Sequence, residues 1–157
     1  MMKLYKVKQE PIDLQSASKS DVRTQFAALC YRVVKDKTQV LLITSRGTGR
    51  WIIPRGWPMD NKTPSEAALT EAWEEAGVKG KAYQVALGLY SYTRDIGTEE
   101  QVPCVAMVYP VEVKSVEDDY PEAGQRKRKW LSPRKAAKRV AEPELANILK
   151  GFYPGKL

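Results

Sequence analysis

The periodicity of the chain predicts an α+β domain, a sheet with one early helix and two helices near the end. Three observations carry this expectation. Residues 24–34 and Gln39–Thr44 are apolar runs rich in strand-forming residues, separated by the turn Lys35-Asp-Lys-Thr, which is a hairpin pattern. Pro64 to Ala76 has a written helix start and stop. Ser132-Pro133 and Pro143 then open two further helical segments, since serine caps a helix and proline suits its first turn.

Taken in order, residues 1–20 mix Lys3, Lys6, Lys8 and Lys19 with scattered apolar residues and show no sustained period. They read as a loosely ordered arm with a short edge strand near Leu4–Val7, leaving 21–157 as one domain. After the hairpin, Ser45 to Arg50 forms a loop, Trp51-Ile-Ile a short strand and Pro54-Arg-Gly a turn. Beyond the early helix, Ala82–Thr93 reads as one long strand and Arg94–Glu100 as a polar loop. Val102–Val113 is another strand, and Pro103 and Pro110 place it near an edge or at a bend. Ser115–Gly124 is acidic and turn-rich. Gln125–Leu131 is a basic strand, followed by a helix to about Ala141 and a last one with Leu145, Ile148 and Leu149 on one side, stopped by Gly151.

Composition narrows the function. The chain has 157 residues and 43% hydrophobic content, ordinary for a folded domain. No apolar run approaches membrane-spanning length, and the first residues lack the apolar stretch of a signal peptide. A cytoplasmic location without membrane contact is the expectation. Cys30 and Cys104 both lie in apolar runs and read as buried free thiols. Histidine is absent, which removes Ser/His triads and histidine zinc sites and leaves acid–base work to carboxylates or lysines. The net charge of +7 suits a polyanionic ligand such as a nucleotide, a polyphosphate or RNA, and equally serves plain solubility.

The stretch from Gly56 to Val78 holds the chemistry. Thr63 as N-cap, Pro64 at the first helical position and Glu66 three residues after the cap form a capping box, and Gly77 is the stop. Glu71, Glu74 and Glu75 stand at i, i+3 and i+4, so three carboxylates share one face. Like charges so placed repel one another. A hard divalent cation, Mg²⁺ or Mn²⁺, would relieve them; a solvated acidic face is the competing account.

The same stretch resembles the Nudix box, G-x5-E-x7-R-E-U-x-E-E-x-G-U with U aliphatic. Gly56, Glu71, Glu74, Glu75, Gly77 and Val78 fall in register, while Lys62 stands in place of Glu and Thr70 in place of Arg. Trp51-Ile-Ile-Pro-Arg-Gly, Ala27-Ala-Leu-Cys-Tyr-Arg and Gly124-Gln-Arg-Lys-Arg-Lys-Trp extend the similarity to the diphosphoinositol-polyphosphate and diadenosine-polyphosphate branch. The resemblance implies an α/β/α sandwich with a mixed central sheet and a metal-dependent pyrophosphohydrolase acting on a small polyphosphate compound. It makes Glu71 and Glu75 metal ligands together with the backbone carbonyl of Arg55. Glu74 becomes the base or a further ligand, and Glu99 and Glu100 are candidates for a distal base or ligand, with solvated loop glutamates the favoured account. It also assigns substrate contacts to Arg23, Thr44, Ser45, Arg46, Arg126 and Arg128.

On a strand Arg126 and Arg128 would share one face. With the box pair replaced, Lys62 or Arg55 is the cation expected to orient Glu71. Trp51, Trp57 and Tyr90 are candidates for base stacking, with core packing the competing role. The alternative function is a catalytically weak module that binds nucleotide or RNA as a sensor, and a capped RNA end is a further substrate option. A monomer or a homodimer paired through the Val102–Val113 edge fits the sequence.

Overall fold

A computed structural model describes residues 23–95 and 101–157. Leu4–Val7, Glu99 and Glu100 therefore lie outside the described residues. The elements are β1 (Arg23–Val34), β2 (Lys37–Thr44), β3 (Trp51–Ile52), β4 (Arg55–Gly56), α1 (Pro64–Ala76), β5 (Val78–Ala82), β6 (Gly88–Asp95), β7 (Gln101–Val116), β8 (Arg128–Leu131), α2 (Pro133–Ala137) and α3 (Pro143–Lys150). A single 3₁₀ turn, Pro154–Lys156, follows.

The sheet is mixed. β3, β2, β1, β7 and β5 run in that spatial order; β4 pairs with β1, β6 with β7 and β8 with β2. β1 and β7 are parallel and the other named pairs antiparallel. The β1–β2 hairpin closes through Lys35 and Asp36, with φ of 49° and 64°. Two consecutive left-handed residues make the tight turn whose twist matches that of the strands.

Alternation along β1 and β2 splits the apolar residues between two faces. Ala28, Cys30, Leu41 and Ile43 meet Ala68, Ala72 and Ala76 of α1. Ala27, Leu29, Tyr31, Val40 and Leu42 meet Leu145, Ile148, Leu149 and Phe152. Helices thus cover both faces, giving an α/β/α sandwich, and the α3 residues read from the sequence are the ones buried. Both cysteines are buried and free. Among the described residues no helix is long and apolar enough to cross a membrane.

Several boundaries differ from the sequence reading. Ala82–Thr93 is not one strand: β5 ends at Ala82 and β6 starts at Gly88. The intervening residues bond only at their ends, Tyr83 N–H to the Pro110 carbonyl at 3.0 Å and Leu87 N–H to that of Val108 at 2.8 Å. β7 is central rather than an edge, with β1 on one side and β5 and β6 on the other, which removes the basis for edge-to-edge dimerisation. Pro110 is accommodated there because its donor-less nitrogen faces the gap between β6 and β5, where no ladder bond is needed. The Pro54-Arg-Gly segment is a two-residue strand on β1. The late basic strand is only Arg128–Leu131, and α2 stops at Ala137, after which Val140 bridges to Trp51.

Candidate active site

Helix α1 begins as its sequence dictates. Thr63 Oγ1 accepts from Glu66 N–H at 3.3 Å, and Glu66 Oε1 accepts from Thr63 N–H at 3.2 Å. Gly77 ends it at φ 71°, and a Cβ there would sit 2.6 Å from the Glu117 carbonyl oxygen. Both ends are therefore fixed. Three alanines let the helix backbone lie close to the sheet, and this sets where its carboxylates go. The Glu71 carboxyl group rests on Gly56 of β4, occupying the space a Cβ would need. Gly56 is thus demanded by close approach, not by a turn.

Glu71 and Glu75 point into a cleft of about 490 Å³ at the end of the sheet. Its other walls come from Ser45, Arg46, Thr48 and Arg50 of the β2–β3 loop, from Trp57, from Gln25 and Tyr92 of the sheet, and from Glu122 and Arg126. Glu75 is 5% exposed. Burial pushes its carboxyl up to about 9; the charge of Arg126 opposes this, while the hydrogen bond and charge of Glu71 add to it. Glu71 is raised as well, mainly by burial, with its hydrogen bond to Glu75 pulling the other way. Both shifts disfavour two ionised carboxylates side by side here.

Arg126 lies across this pair. One guanidinium nitrogen is 3.6 Å from Glu75 Oε1 and 3.2 Å from Glu122 Oε1, Nε donates to the same Glu122 oxygen at 3.2 Å, and Nη1 donates to the Thr44 carbonyl at 3.1 Å. Glu122 is held in turn by its backbone N–H, which donates to the Glu74 carbonyl at 3.0 Å. Arg46 reaches the outer side of Glu122, with Nε at 3.7 Å, and donates to Gln125.

Of the residues singled out in the sequence, Glu71, Glu75, Arg55, Ser45, Arg46 and Arg126 line the cleft. Thr44 stands behind it: its hydroxyl accepts from Lys127 N–H at 2.9 Å and its carbonyl from Arg126. Glu74, Arg23 and Arg128 are not among the lining residues. Arg128 closes the end of α1, donating to the carbonyls of Ala76 and Glu117 at 3.0 and 2.8 Å and pairing with Asp118. The shared face expected for Arg126 and Arg128 does not form, because β8 begins only at Arg128.

The Arg55 side chain does not brace Glu71. It donates to Tyr90 at 3.2 Å and stacks 3.5 Å above the ring of Tyr92. Lys62 lies with Thr70, Leu69 and Trp73 along a separate groove, and Thr70 hydrogen-bonds back to the Glu66 carbonyl. Tyr90 is fully buried, and Trp51 packs on the α3 core; of the three aromatic candidates only Trp57, 39% exposed, lines the cleft. Glu122, Arg50, Gln25 and Tyr92 were missed. Glu122 lies in an acidic turn that periodicity treats as solvent-facing; its one signal is the position four residues before Arg126.

Comparison with known proteins agrees with the sandwich. The chain belongs to the Nudix family: the NUDIX domain model matches residues 23–153. Among its relatives is Nudix hydrolase 13, mitochondrial, of Arabidopsis thaliana, 33% identical over 150 residues, spanning 85% of this chain and 74% of that one. Diphosphoinositol polyphosphate phosphohydrolase 3-alpha of Homo sapiens is 29% identical over 134 residues, spanning 84% and 77%. A C. elegans Ap4A hydrolase in a binary complex shares the fold, with a TM-score of 0.59 at 17% identity over 82% of this chain and 93% of that one. The chain is thus a Nudix-family hydrolase.

Proposed function

We propose that the chain is a cytoplasmic, Mg²⁺-dependent hydrolase, with Mn²⁺ as substitute, that cleaves a phosphoanhydride bond in a dinucleoside polyphosphate or a diphosphoinositol polyphosphate. One observation carries this reading: Glu71 and the buried Glu75, where burial favours the protonated carboxyl, meet at the inner end of a cleft whose mouth holds Arg46 and Arg50. Such a pair fits a hard divalent ion, since replacing the proton with the ion relieves repulsion that burial magnifies. Glu71, Glu75 and the Arg55 carbonyl would hold it, and the ion would neutralise phosphate oxygens crowded around the reacting phosphorus. The names of the relatives supply the two substrate classes, and the two free, buried cysteines suit a reducing compartment.

The chain's own residues do the rest. Arg46 and Arg50 receive outer phosphates, for which guanidinium forks are well shaped. Ser45, whose hydroxyl accepts from Arg50 N–H at 3.0 Å and bonds Thr48 at 2.6 Å, holds the β2–β3 loop that carries them. The carboxylates that face the cleft, Glu71 and Glu122, are better placed than Glu74 to accept the proton of the attacking water. A panel of dinucleoside polyphosphates, diphosphoinositol polyphosphates, nucleoside triphosphates and capped RNA ends, assayed for phosphate release with Mg²⁺ and Mn²⁺, tests the proposal. Turnover of a member of the first two classes, lost in Glu75→Gln and reduced less in Glu74→Gln than in Glu122→Gln, is expected. Binding without turnover across the panel would overturn it in favour of a sensor.

A further inference from the structure

Arg126 is poorly placed to serve as a substrate contact. Its side chain is 8% exposed, and its donors are directed to Glu122, Glu75 and the Thr44 carbonyl, joining the loop before β8, helix α1 and the end of β2. Taking up a phosphate would mean releasing buried carboxylates, and leaving such a charge without its partner is costly. The loop is itself tied to β2 just after Arg126: Lys127 N–H donates to the Thr44 hydroxyl, and Thr44 N–H to the Lys127 carbonyl at 3.1 Å. That pairing aims Arg126 inward. Residue 70 of α1, one turn before Glu74, offers no cation, since Thr70 bonds its own helix backbone.

We propose that Arg126 is a positioning residue that sets Glu122 and Glu75 in the cleft from outside the helix, leaving phosphate recognition to Arg46 and Arg50. This rests on the reading that Glu71 and Glu75 hold the metal. Arginine is required because its planar fork meets three acceptors at once, whereas a lysine ammonium supplies charge without that spread. The two functions have opposite signatures. Loss of a substrate contact raises KM, whereas loss of a positioning residue acts through the groups it holds. The carboxylates it held lose their placement, so turnover falls.

The test compares Arg126→Gln, Arg126→Lys, Glu122→Gln and the Arg126→Gln/Glu122→Gln double variant, with Arg50→Gln as a substrate-contact control. Mn²⁺ affinity is read without substrate by electron paramagnetic resonance, and kcat and KM are measured separately. Arg126→Gln is expected to lose about 10–100-fold in kcat with KM unchanged. Arg126→Lys should recover part of that rate, and the double variant should be no slower than the worse single variant, because the two residues act as one unit. Arg50→Gln should raise KM alone. A raised KM with kcat kept in Arg126→Gln would overturn the proposal and make Arg126 a substrate contact. Unchanged kcat and KM in Arg126→Gln would overturn it too, because the carboxylates would then keep their places without the guanidinium. If Glu75→Gln leaves Mn²⁺ binding of the unmodified protein untouched, the metal reading itself fails, and that outcome is distinct from both.

Discussion

The two helical layers face the same sheet and are built on opposite terms. On the α3 side the contacts are large apolar side chains, Leu145, Ile148, Leu149 and Phe152, packed on Leu29, Tyr31 and Leu42. On the α1 side the helix presents Ala68, Ala72 and Ala76, all fully buried. Each alanine buries little surface, so this layer contributes less hydrophobic stabilisation than the other. What it gains is approach. A helix seated on alanines brings Glu71 onto Gly56 and Glu75 into a nearly dry cleft, and long side chains would hold both away. One layer stabilises, and the other spends stability on charge placement.

That contrast can be broken from either side. Leu149→Ala should cost about 2–5 kcal/mol of unfolding free energy, as truncations in full cores do, while kcat per folded molecule stays at its normal value. Chemical denaturation and active-site titration together measure it. Gly56→Ala should act the other way. Its methyl group overlaps the Glu71 carboxyl, so activity should fall about 10–100-fold while the denaturation midpoint moves far less. A further effect follows from pH. Glu75 is raised from 4.5 to about 9 in the folded chain, so between those values the folded protein holds a proton that the unfolded one has released. Without divalent ions its stability should therefore fall as pH rises from about 5 to about 9. Added Mg²⁺ should offset most of the loss at the alkaline end, and thermal melts at pH 6 and 8.5 with and without chelator check both signs. Smallest of all, Thr70→Arg and Lys62→Glu should change kcat/KM by no more than about twofold, because the groove they line is separate from the cleft.

Much of the α1 layer was legible in the sequence because its signals are local. The Thr63 cap, Pro64, Glu66 and Gly77 each act within one turn, and the spacing of Glu71 and Glu75 places both on one face. The hairpin was equally clear, since its turn and alternation are short-range. The misjudged features depend on distant partners. Pro110 suggested an edge, and only the gap between β5 and β6, set by pairing elsewhere, shows how a central strand tolerates it. Glu74 is a different case: it fits the spacing as well as its neighbours, and which of the three lines the cleft depends on where the helix meets β4. The cation beside the carboxylates was sought at Lys62 and Arg55; Arg126 occupies that place, more than fifty positions along the chain from Glu75, through a loop whose composition reads as solvent-exposed.

Glu71 and Glu75, brought together in the cleft, are proposed as a cation site. Calorimetric titration of Mn²⁺ into the metal-free protein near pH 7.5, repeated in two buffers of different ionisation enthalpy, tests it directly. Binding should release about one proton per ion, and Glu75→Gln should abolish both the release and most of the affinity. Binding of equal affinity in Glu75→Gln, with no proton released by either protein, would contradict it.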